Sequence, residues 1–222
     1  MRVTLGLNFE KGYIAHPYWP AMQQLIDIQK QSGINRMRSV PRREQALRDF
    51  LNRNNMTAED YAALEKQAAE PFYRVRDVLG PDELQENSHD PLEIVIPAHQ
   101  VYGCLAAACT TVSRSLKLAD PEQIRTVMGV SHFHTGKVVR DGVWARYVVV
   151  KAGTGNRLSN QRALRSNEFI SNFVANGTLN FTGDDEKRLR DFLIWTGENI
   201  GVGASRKMDW GRFSIVNWAR VG

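Results

Sequence analysis

Apolar and polar residues alternate at the start of the chain, and short apolar runs recur further along it. The alternation over residues 2–9 predicts a half-buried strand. The run at residues 92–97 predicts a short strand that stops at a proline, and the run at residues 212–221 predicts a final strand. These three segments indicate that the chain contains a sheet.

Two further segments have the pattern of strands joined by turns. Residues 137–151 hold two apolar runs around Asp141–Gly142, and we predict a hairpin there because this dipeptide is a favoured hairpin turn. Residues 166–181 predict one or two strands interrupted at Asn176–Gly177, since Asn and Gly commonly form turns.

Apolar residues recur at helical spacing in five other segments. They are residues 20–31, a segment that begins at Pro41, residues 57–68, residues 98–117 and residues 184–199. Thr57 and Asp60 have the spacing of a capping box, which satisfies amides at the start of a helix. Small residues dominate the segment that begins at residue 98, so we expect this helix to lie close against a sheet, with unpaired amides at its N-terminal end.

The composition changes over residues 20–80, which are rich in arginine and have helical patterns throughout. We therefore predict that residues 20–80 form a helical insertion, and that residues 1–19 and 81–222 form the core that carries the strands. The order of elements in this core predicts an α+β fold, namely a ferredoxin-like (RRM-like) antiparallel sheet of four strands with an inserted helical subdomain.

The charge of the chain favours an anionic partner. Its 222 residues carry a net charge of +5 with an isoelectric point of about 9.4, although mildly basic globular proteins are common. A hydrophobic content of 42% is enough for a core. No apolar run approaches the roughly 20 residues of a membrane span, so we expect no membrane partner.

Cysteine usage and the N-terminal residues favour a cytoplasmic location. Cys104 and Cys109 are the two cysteines, and their spacing is neither a CxxC motif nor an obvious disulfide. Two free thiols are typical of a reducing compartment. The first seven residues lack the apolar region and the cleavage site of a signal peptide.

The stretch with the most suggestive chemistry is residues 197–213, which follows the last predicted helix. It contains four glycines and the basic residues Arg206, Lys207 and Arg212. Glycines free the backbone and can leave amides uncovered, and a phosphate binds where such amides and positive charges meet. Glycine also ends helices and forms tight turns, so the pattern leaves open whether this stretch binds phosphates or is a capped turn.

Two other basic regions and a pair of histidines are candidate sites. The arginines in these regions either grip phosphates or form a solvated surface. They are Arg36, Arg38, Arg42 and Arg43 around a proline turn, and Arg157, Arg162 and Arg165 in a predicted second basic loop. His132 and His134 would share one face of a strand, but a metal site needs more ligands and no third is evident, so we predict structural or surface histidines without a metal or cofactor.

Two motifs resemble those of one protein family. Residues 96–105 resemble the I-P-x-S-S-x-x-G-x-L/R start of the first helix in CRISPR-associated RAMP proteins, with His99 and Gln100 at the serine positions. Residues 200–213 resemble the C-terminal G-x-G-x-x-x-x-x-G-[YFW]-G-[RK]-[FV] loop of the same family, with Asp209 in place of the glycine before the aromatic residue. Both motifs lie outside the predicted helical insertion.

The resemblance implies RNA binding without catalysis. Backbone subunits of this superfamily polymerise head-to-tail along a CRISPR RNA and grip its phosphates, beside other subunits of the effector complex. By this analogy the residues that line the RNA are His99, Gln100, Gly103, Gly203, Arg206, Lys207, Gly211 and Arg212. The arginines outside the two motifs are candidates from their charge alone.

Two other functions remain open from the sequence. Some RAMP proteins cleave RNA, and the residue types that serve in acid–base catalysis are present at His16, His99, Tyr102 and Lys207, although no spacing singles out a pair. The other alternative is an interaction protein of this fold, encoded by a mobile element, that joins or blocks a host CRISPR complex.

Overall fold

The computed structural model describes residues 1–15, 19–80, 83, 89–112, 128–152, 159–181 and 185–221. The chain divides into two units, each with its own packing. We call Met1–Ala15 together with Tyr73–Gly222 the sheet unit, and His16–Phe72 the helical unit. No helix in these described ranges combines the length and the apolar character needed to cross a membrane.

The helical unit contains three helices and a 3-10 turn. Its elements are α1 (Trp19–Gln31), the turn Ile34–Arg36, α2 (Val40–Arg53) and α3 (Ala58–Ala69). The apolar stripes that predicted these helices meet in one core. The buried residues of this core are Ala21, Ile28, Phe50, Leu51, Tyr61, Leu64 and Ala68. The three predicted helices are therefore confirmed.

The ends of these helices follow from single residues. Thr57 Oγ1 accepts a hydrogen bond from the Asp60 amide at 3.0 Å, and Asp60 Oδ2 accepts one from the Thr57 amide at 3.0 Å. This reciprocal pair confirms the predicted capping box at the start of α3. Pro41 lies in the first turn of α2, where a missing amide is tolerated, and Gly33 follows α1 with a φ of 74°.

The sheet unit contains nine strands and three helices in its described residues. Its strands are β1 (Arg2–Phe9), β2 (Tyr73–Arg74), β3 (Ile94–Ile96), β4 (Met128–Val130), β5 (Phe133–His134), β6 (Gly142–Ala152), β7 (Ser159–Phe169), β8 (Phe173–Phe181) and β9 (Ser214–Val221). Its helices are α4 (Val75–Val78), α5 (Ala98–Val112) and α6 (Glu186–Asn199), and a 3-10 turn follows at Arg206–Met208. The helices predicted over residues 98–117 and 184–199 are thus confirmed as α5 and α6 where the structure describes them, and residues 113–117 and 184 lie outside the described residues.

Seven of the strands form one antiparallel sheet in the order β2-β3-β5-β8-β1-β9, in which β4 also pairs with β8. Its centre follows the chain order strand, helix, strand, strand, helix, strand, through β1, α5, β4–β5, β8, α6 and β9. The last strand lies beside the first, which is the ferredoxin-like arrangement. The predicted α+β fold class is confirmed. The sheet has more strands than the predicted four because β2 pairs with β3, the strand predicted over residues 92–97, and because β4 and β5 are separate segments.

β1 lies in the middle of the sheet, with β8 on one side and β9 on the other. Its alternate residues Val3, Leu5, Leu7 and Phe9 are at most 1% exposed, as the alternation in the sequence predicts. The Phe9 ring stacks on Phe173, with the ring centroids 4.9 Å apart. This buried row anchors β1 and therefore also the segment that leaves its end.

The predicted hairpin over residues 137–151 is wrong. β6 begins only at Gly142 and pairs with β7 along its whole length, which puts Asp141 at the base of the resulting ribbon instead of in its turn. The Asp141 carboxylate accepts hydrogen bonds from the Ser171 amide at 2.6 Å and from the Lys137 ammonium at 3.1 Å. Contacts from a distant part of the chain therefore fix the conformation that the local Asp-Gly pattern suggested to be a turn.

The predicted interruption at Asn176–Gly177 is also wrong, because β8 runs through both residues. The Phe133 ring lies 2.7 Å from the position that a Cβ of Gly177 would occupy, so this glycine makes room for a ring from a neighbouring strand. The chain instead breaks between β7 and β8, where Asn172 adopts a φ of 50°.

Candidate functional site

The glycine-rich stretch after α6 folds back on the segment that leaves β1. The Ala204 amide donates to the Ile14 carbonyl at 2.8 Å, and the Gly211 amide donates to the Gly12 carbonyl at 2.8 Å. Because Ile14 and Gly12 follow the buried strand β1, these bonds fix the stretch to the centre of the sheet unit. We call residues 200–213 the glycine loop.

The backbone of the glycine loop requires glycine at two positions. Gly203 and Gly211 have φ angles of 82° and 74°, which residues with side chains disfavour. A Cβ on Gly203 would lie 2.4 Å from the Ile14 carbonyl oxygen, and one on Gly211 would lie 1.7 Å from the Val202 carbonyl oxygen. The Val202 amide also donates to the Gly211 carbonyl at 2.8 Å, so the two sides of the loop touch there. Gly203 therefore allows the loop to pack against the segment after β1, and Gly211 allows the two sides of the loop to touch.

The expectation of uncovered amides is wrong for much of this region. The amides of Val202, Ala204 and Gly211 already have protein acceptors. At the start of α5, the Ala98 amide donates to Nδ1 of His132 at 3.1 Å. Burial lowers the pKa of His132, which keeps its imidazole neutral and able to accept. An anion at either place would therefore be held mainly by side chains.

Basic side chains surround the glycine loop. Arg206 and Lys207 are exposed on its 3-10 turn, and Arg212 is half-buried. Lys11, just after β1, donates its ammonium to the Met208 carbonyl at 2.6 Å. Sequence reasoning missed Lys11 because its partner in the loop lies 197 residues further along the chain. We call Lys11, Arg206, Lys207 and Arg212 the basic loop face.

The charge of the basic loop face reaches α5. Burial raises the pKa of the Cys104 thiol to about 12, while Arg206 and Arg212 act in the opposite direction through their charge. Cys104 lies one turn after Gln100, on the same side of α5. Tyr13 contacts Gln100 and lies against Gly203, so the glycine loop and the first half of α5 are neighbours, and we call their exposed side the candidate surface. Cys104 and Cys109 are both free and buried, as the sequence predicts.

Two buried hydrogen-bond donors beneath this surface have no acceptor among the described residues. The Tyr13 hydroxyl donates to Gln100 Oε1 at 2.6 Å, while Gln100 Nε2 has no partner among the described residues. Arg212 Nη1 is likewise buried without a partner in that part of the chain, and Arg212 Nε lies 3.8 Å from the Asp209 carboxylate. A buried donor without an acceptor costs about 1–3 kcal/mol. Both atoms are closed to solvent, so a ligand oxygen reaches them only after a neighbouring side chain moves.

The remaining residues predicted from the first motif lie on α5, where the His99 ring packs edge-on against Tyr73 of β2. His99 is exposed in the first turn of α5. Gly103 is exposed one turn later, and a Cβ there would meet nothing within 4 Å, so this part of α5 is open to a ligand. Among the residues that the cleavage alternative would use, Tyr102 is half-buried on α5, Lys207 is exposed on the glycine loop, and His16 lies outside the described residues.

The helical unit carries a separate set of exposed arginines. Arg42 and Arg43 lie in the first turn of α2, which contains no acidic residue. The positive end of the helix dipole lies at this turn, so it attracts an anion and repels the guanidinium groups of Arg42 and Arg43. The exposed arginines that the charge pattern predicted in this unit are Arg36, Arg38, Arg42 and Arg43. Their part in binding stays a prediction.

The second predicted basic loop is in fact largely a strand. Arg162 and Arg165 lie on β7, where Arg165 pairs with Arg146 of β6 across the ribbon. Arg157 lies outside the described residues. The pattern of Asn and Ser between these arginines suggested a loop, but eleven consecutive residues of β7 pair with β6. Whether these arginines contact a ligand stays a prediction.

Comparisons with known proteins find similarity among solved structures and none among family models or curated proteins. No protein-family model matches the chain, and no curated protein matches it. Among solved structures, the chain is similar to a chain of the structure described as "Cryo-EM structure of the Type III-B Cmr-beta bound to cognate target RNA", with 9% identity and a TM-score of 0.49. The match covers 98% of this chain and 59% of that chain. At this similarity the match carries no argument about function, which has to rest on the residues themselves.

Proposed function

We propose that the protein binds RNA through its phosphates, as a non-catalytic subunit of a CRISPR effector complex. The observation that carries the proposal is the position of Tyr13 between the two motifs. Its hydroxyl donates to Gln100 of the first motif at 2.6 Å, and its ring lies 2.5 Å from the place of a Cβ on Gly203 of the second. Two motifs far apart in the sequence thus meet at a buried contact, which brings the exposed residues beside it close enough for a shared ligand.

The chemistry of this surface suits a phosphodiester backbone. The basic loop face supplies positive charge, with Arg206 and Lys207 exposed on its 3-10 turn. A phosphate oxygen is attracted by such charge and accepts hydrogen bonds from exposed guanidinium and ammonium groups. Contacts of this kind hold the RNA backbone and carry no base information, which leaves sequence recognition to base pairing.

We propose further that copies of the chain assemble head-to-tail along a CRISPR RNA, beside other subunits of the effector complex. The support for this step is the resemblance in the two motifs. A head-to-tail contact joins two different surfaces and leaves one of each free at the ends, so that assembly can continue along the RNA. Light scattering with and without a CRISPR RNA measures the assembly. We expect a mass that grows with RNA length, and a monomer under both conditions would contradict the assembly.

The purified protein is expected to bind unrelated single-stranded RNAs of equal length with the same affinity, because phosphate contacts do not depend on base sequence. The logarithm of the association constant should fall linearly with the logarithm of the salt concentration, with a slope of about −0.7 per phosphate contact. Fluorescence anisotropy of labelled RNA measures both quantities. An association constant that does not change with salt concentration, or binding that is restricted to one base sequence, would argue against the proposal. Cleavage of the RNA during the titration would favour the endoribonuclease alternative.

A further inference from the structure

Three side chains of the sheet unit form a cluster that the proposed function does not use. His89, Glu93 and His134 each offer one ligand atom, and these atoms lie within 4.8 Å of one another. Nδ1 of His134 is 3.3 Å from Oε2 of Glu93, and Nδ1 of His89 is 3.9 Å from the same oxygen. The two imidazole rings stack with their centroids 4.0 Å apart.

The register of the sheet brings two of these side chains together. β3 pairs with β5 so that Val95 lies opposite His134. Glu93 precedes Val95 by two residues, which makes it the diagonal neighbour of His134 on the same face of the sheet. His89 lies four residues before Glu93, outside the strands, and its ring stacks on that of His134. The sheet therefore fixes Glu93 and His134, and His89 completes the cluster.

Glu93 is held in an orientation that suits a cation. Its side chain is buried, with the residue 8% exposed. Oε1 accepts from the Gly136 amide at 2.7 Å, and Oε2 faces the imidazoles. The ion-pair partners of Glu93 in the described part of the chain are His89 and His134. A buried carboxylate is stabilised by a positive partner, and a cation bound between Glu93 and the two imidazoles would supply one.

We propose that His89, Glu93 and His134 bind a Zn²⁺ ion, with a water molecule as the fourth ligand. Two imidazole nitrogens and one carboxylate oxygen form a donor set that zinc takes in tetrahedral sites with one open position. The hydrogen bond from Gly136 to Glu93 is the kind of second contact that orients such a carboxylate. The proposal is independent of RNA binding.

The geometry requires a small rearrangement on binding. In a tetrahedral zinc site the ligand atoms lie about 3.4 Å apart, because each is about 2.1 Å from the metal. The His134–Glu93 pair, at 3.3 Å, already has this spacing, whereas the 3.9 Å between His89 and Glu93 must shorten. The nearly parallel imidazoles must also tilt so that both nitrogen lone pairs point at one ion. His89 lies outside the strands, so its ring can tilt without disturbing the pairing of β3 with β5.

Zinc at this place would tie the segment that precedes β3 to β5. The metal binds the folded chain in preference to the unfolded one, so it raises the melting temperature by mass action. The test uses the full chain, freed of metal with a chelator and then titrated with ZnCl2 or, as a spectroscopic probe, with CoCl2. We expect one zinc per chain after gel filtration, a higher melting temperature, and visible Co²⁺ absorption that zinc abolishes.

Two variants and one control make the test specific to the cluster. His89→Ala removes a ligand outside the strands, and Glu93→Gln keeps an acceptor for the Gly136 amide while removing the charge. Each is expected to weaken zinc binding about tenfold or more and to abolish the Co²⁺ absorption. His99→Ala removes an exposed histidine on α5 and should leave both readouts unchanged. If Glu93→Gln fails to fold, His89→Ala still decides the question. Wild-type protein that retains no zinc, or equal retention by His89→Ala and wild type, would overturn the proposal.

Discussion

Alanine in place of Gly211 is expected to lower the free energy of unfolding by about 2–4 kcal/mol. Gly211 has a φ of 74°, and the new Cβ would lie 1.7 Å from the Val202 carbonyl oxygen, a backbone atom that has no room to retreat. The loop would have to open and give up the 2.8 Å bonds that join Val202 to Gly211 and Gly211 to Gly12. Urea denaturation followed by tryptophan fluorescence measures the loss.

Gly103→Ala is the matched control for this variant. Gly103 lies on the exposed side of α5, and a Cβ there would meet nothing within 4 Å. Alanine is the better helix former by about 0.5–1 kcal/mol, so this substitution should leave the stability unchanged or raise it. Equal unfolding midpoints for Gly211→Ala and Gly103→Ala would show that the glycine loop does not have the described conformation.

Replacing Arg206, Lys207 and Arg212 together with alanine is expected to weaken RNA binding about tenfold or more while the protein stays folded. The slope of log K against log salt should become less negative by about 0.7 for each phosphate that is no longer bound, and therefore by about 2 for the three side chains together. The weakening should be similar for unrelated RNA sequences, because interactions with the RNA backbone carry no base information. Anisotropy titrations at several salt concentrations measure the affinity and the slope together.

The control for this variant removes the same charge from the opposite end of the same unit. Lys187 and Arg190 lie near the start of α6, and Arg220 lies near the end of β9, whereas the glycine loop joins the other ends of these elements. The Trp218 indole donates to Glu186 at 2.6 Å, which confirms that those far ends lie together. A triple alanine variant of Lys187, Arg190 and Arg220 should change the slope only slightly. Equal weakening in the two triple variants would mean that the glycine loop is not the RNA site.

The sequence predicted those elements whose structure depends only on residues a few positions apart in the chain. The alternation over β1 appears as a buried row, because each second side chain of a central strand faces a core. The capping box of Thr57 and Asp60 needs only residues three apart, and it is present. Asp209, where the resembled motif has glycine, adopts a φ of 62°, a conformation that Asp tolerates better than most residues.

The sequence-based predictions fail where a distant contact decides the conformation. Asp141–Gly142 has the local pattern of a hairpin turn, but Ser171 holds Asp141 at the base of a ribbon. Asn176–Gly177 has the local pattern of an interruption, but the strand continues through it. Position 177 holds glycine because the Phe133 ring packs where a side chain would lie. Glycine marks both turns and close approaches, and the sequence alone does not distinguish the two.

The sequence indicated which residues form the candidate site, but it did not indicate which of their groups are free to bind a ligand. The basic residues Arg206, Lys207 and Arg212 could be singled out because they interleave with glycines. The expectation of free amides fails because those amides bond to Ile14, Gly12 and Gly211, which no local pattern indicates. Lys11 and the cluster around Glu93 could not be found from spacing, since their partners lie 197 and 41 residues away.

Photocrosslinking to RNA that contains 4-thiouridine, with mass spectrometry of the linked peptides, tests the central claim most directly. The proposed RNA site is the exposed surface beside the buried contact that joins the two motifs through Tyr13. The account predicts crosslinks in peptides that contain residues 11–15, 98–103 and 203–212. Bound RNA whose crosslinks all fall outside these three segments, or a protein that binds no RNA at low salt, would contradict it.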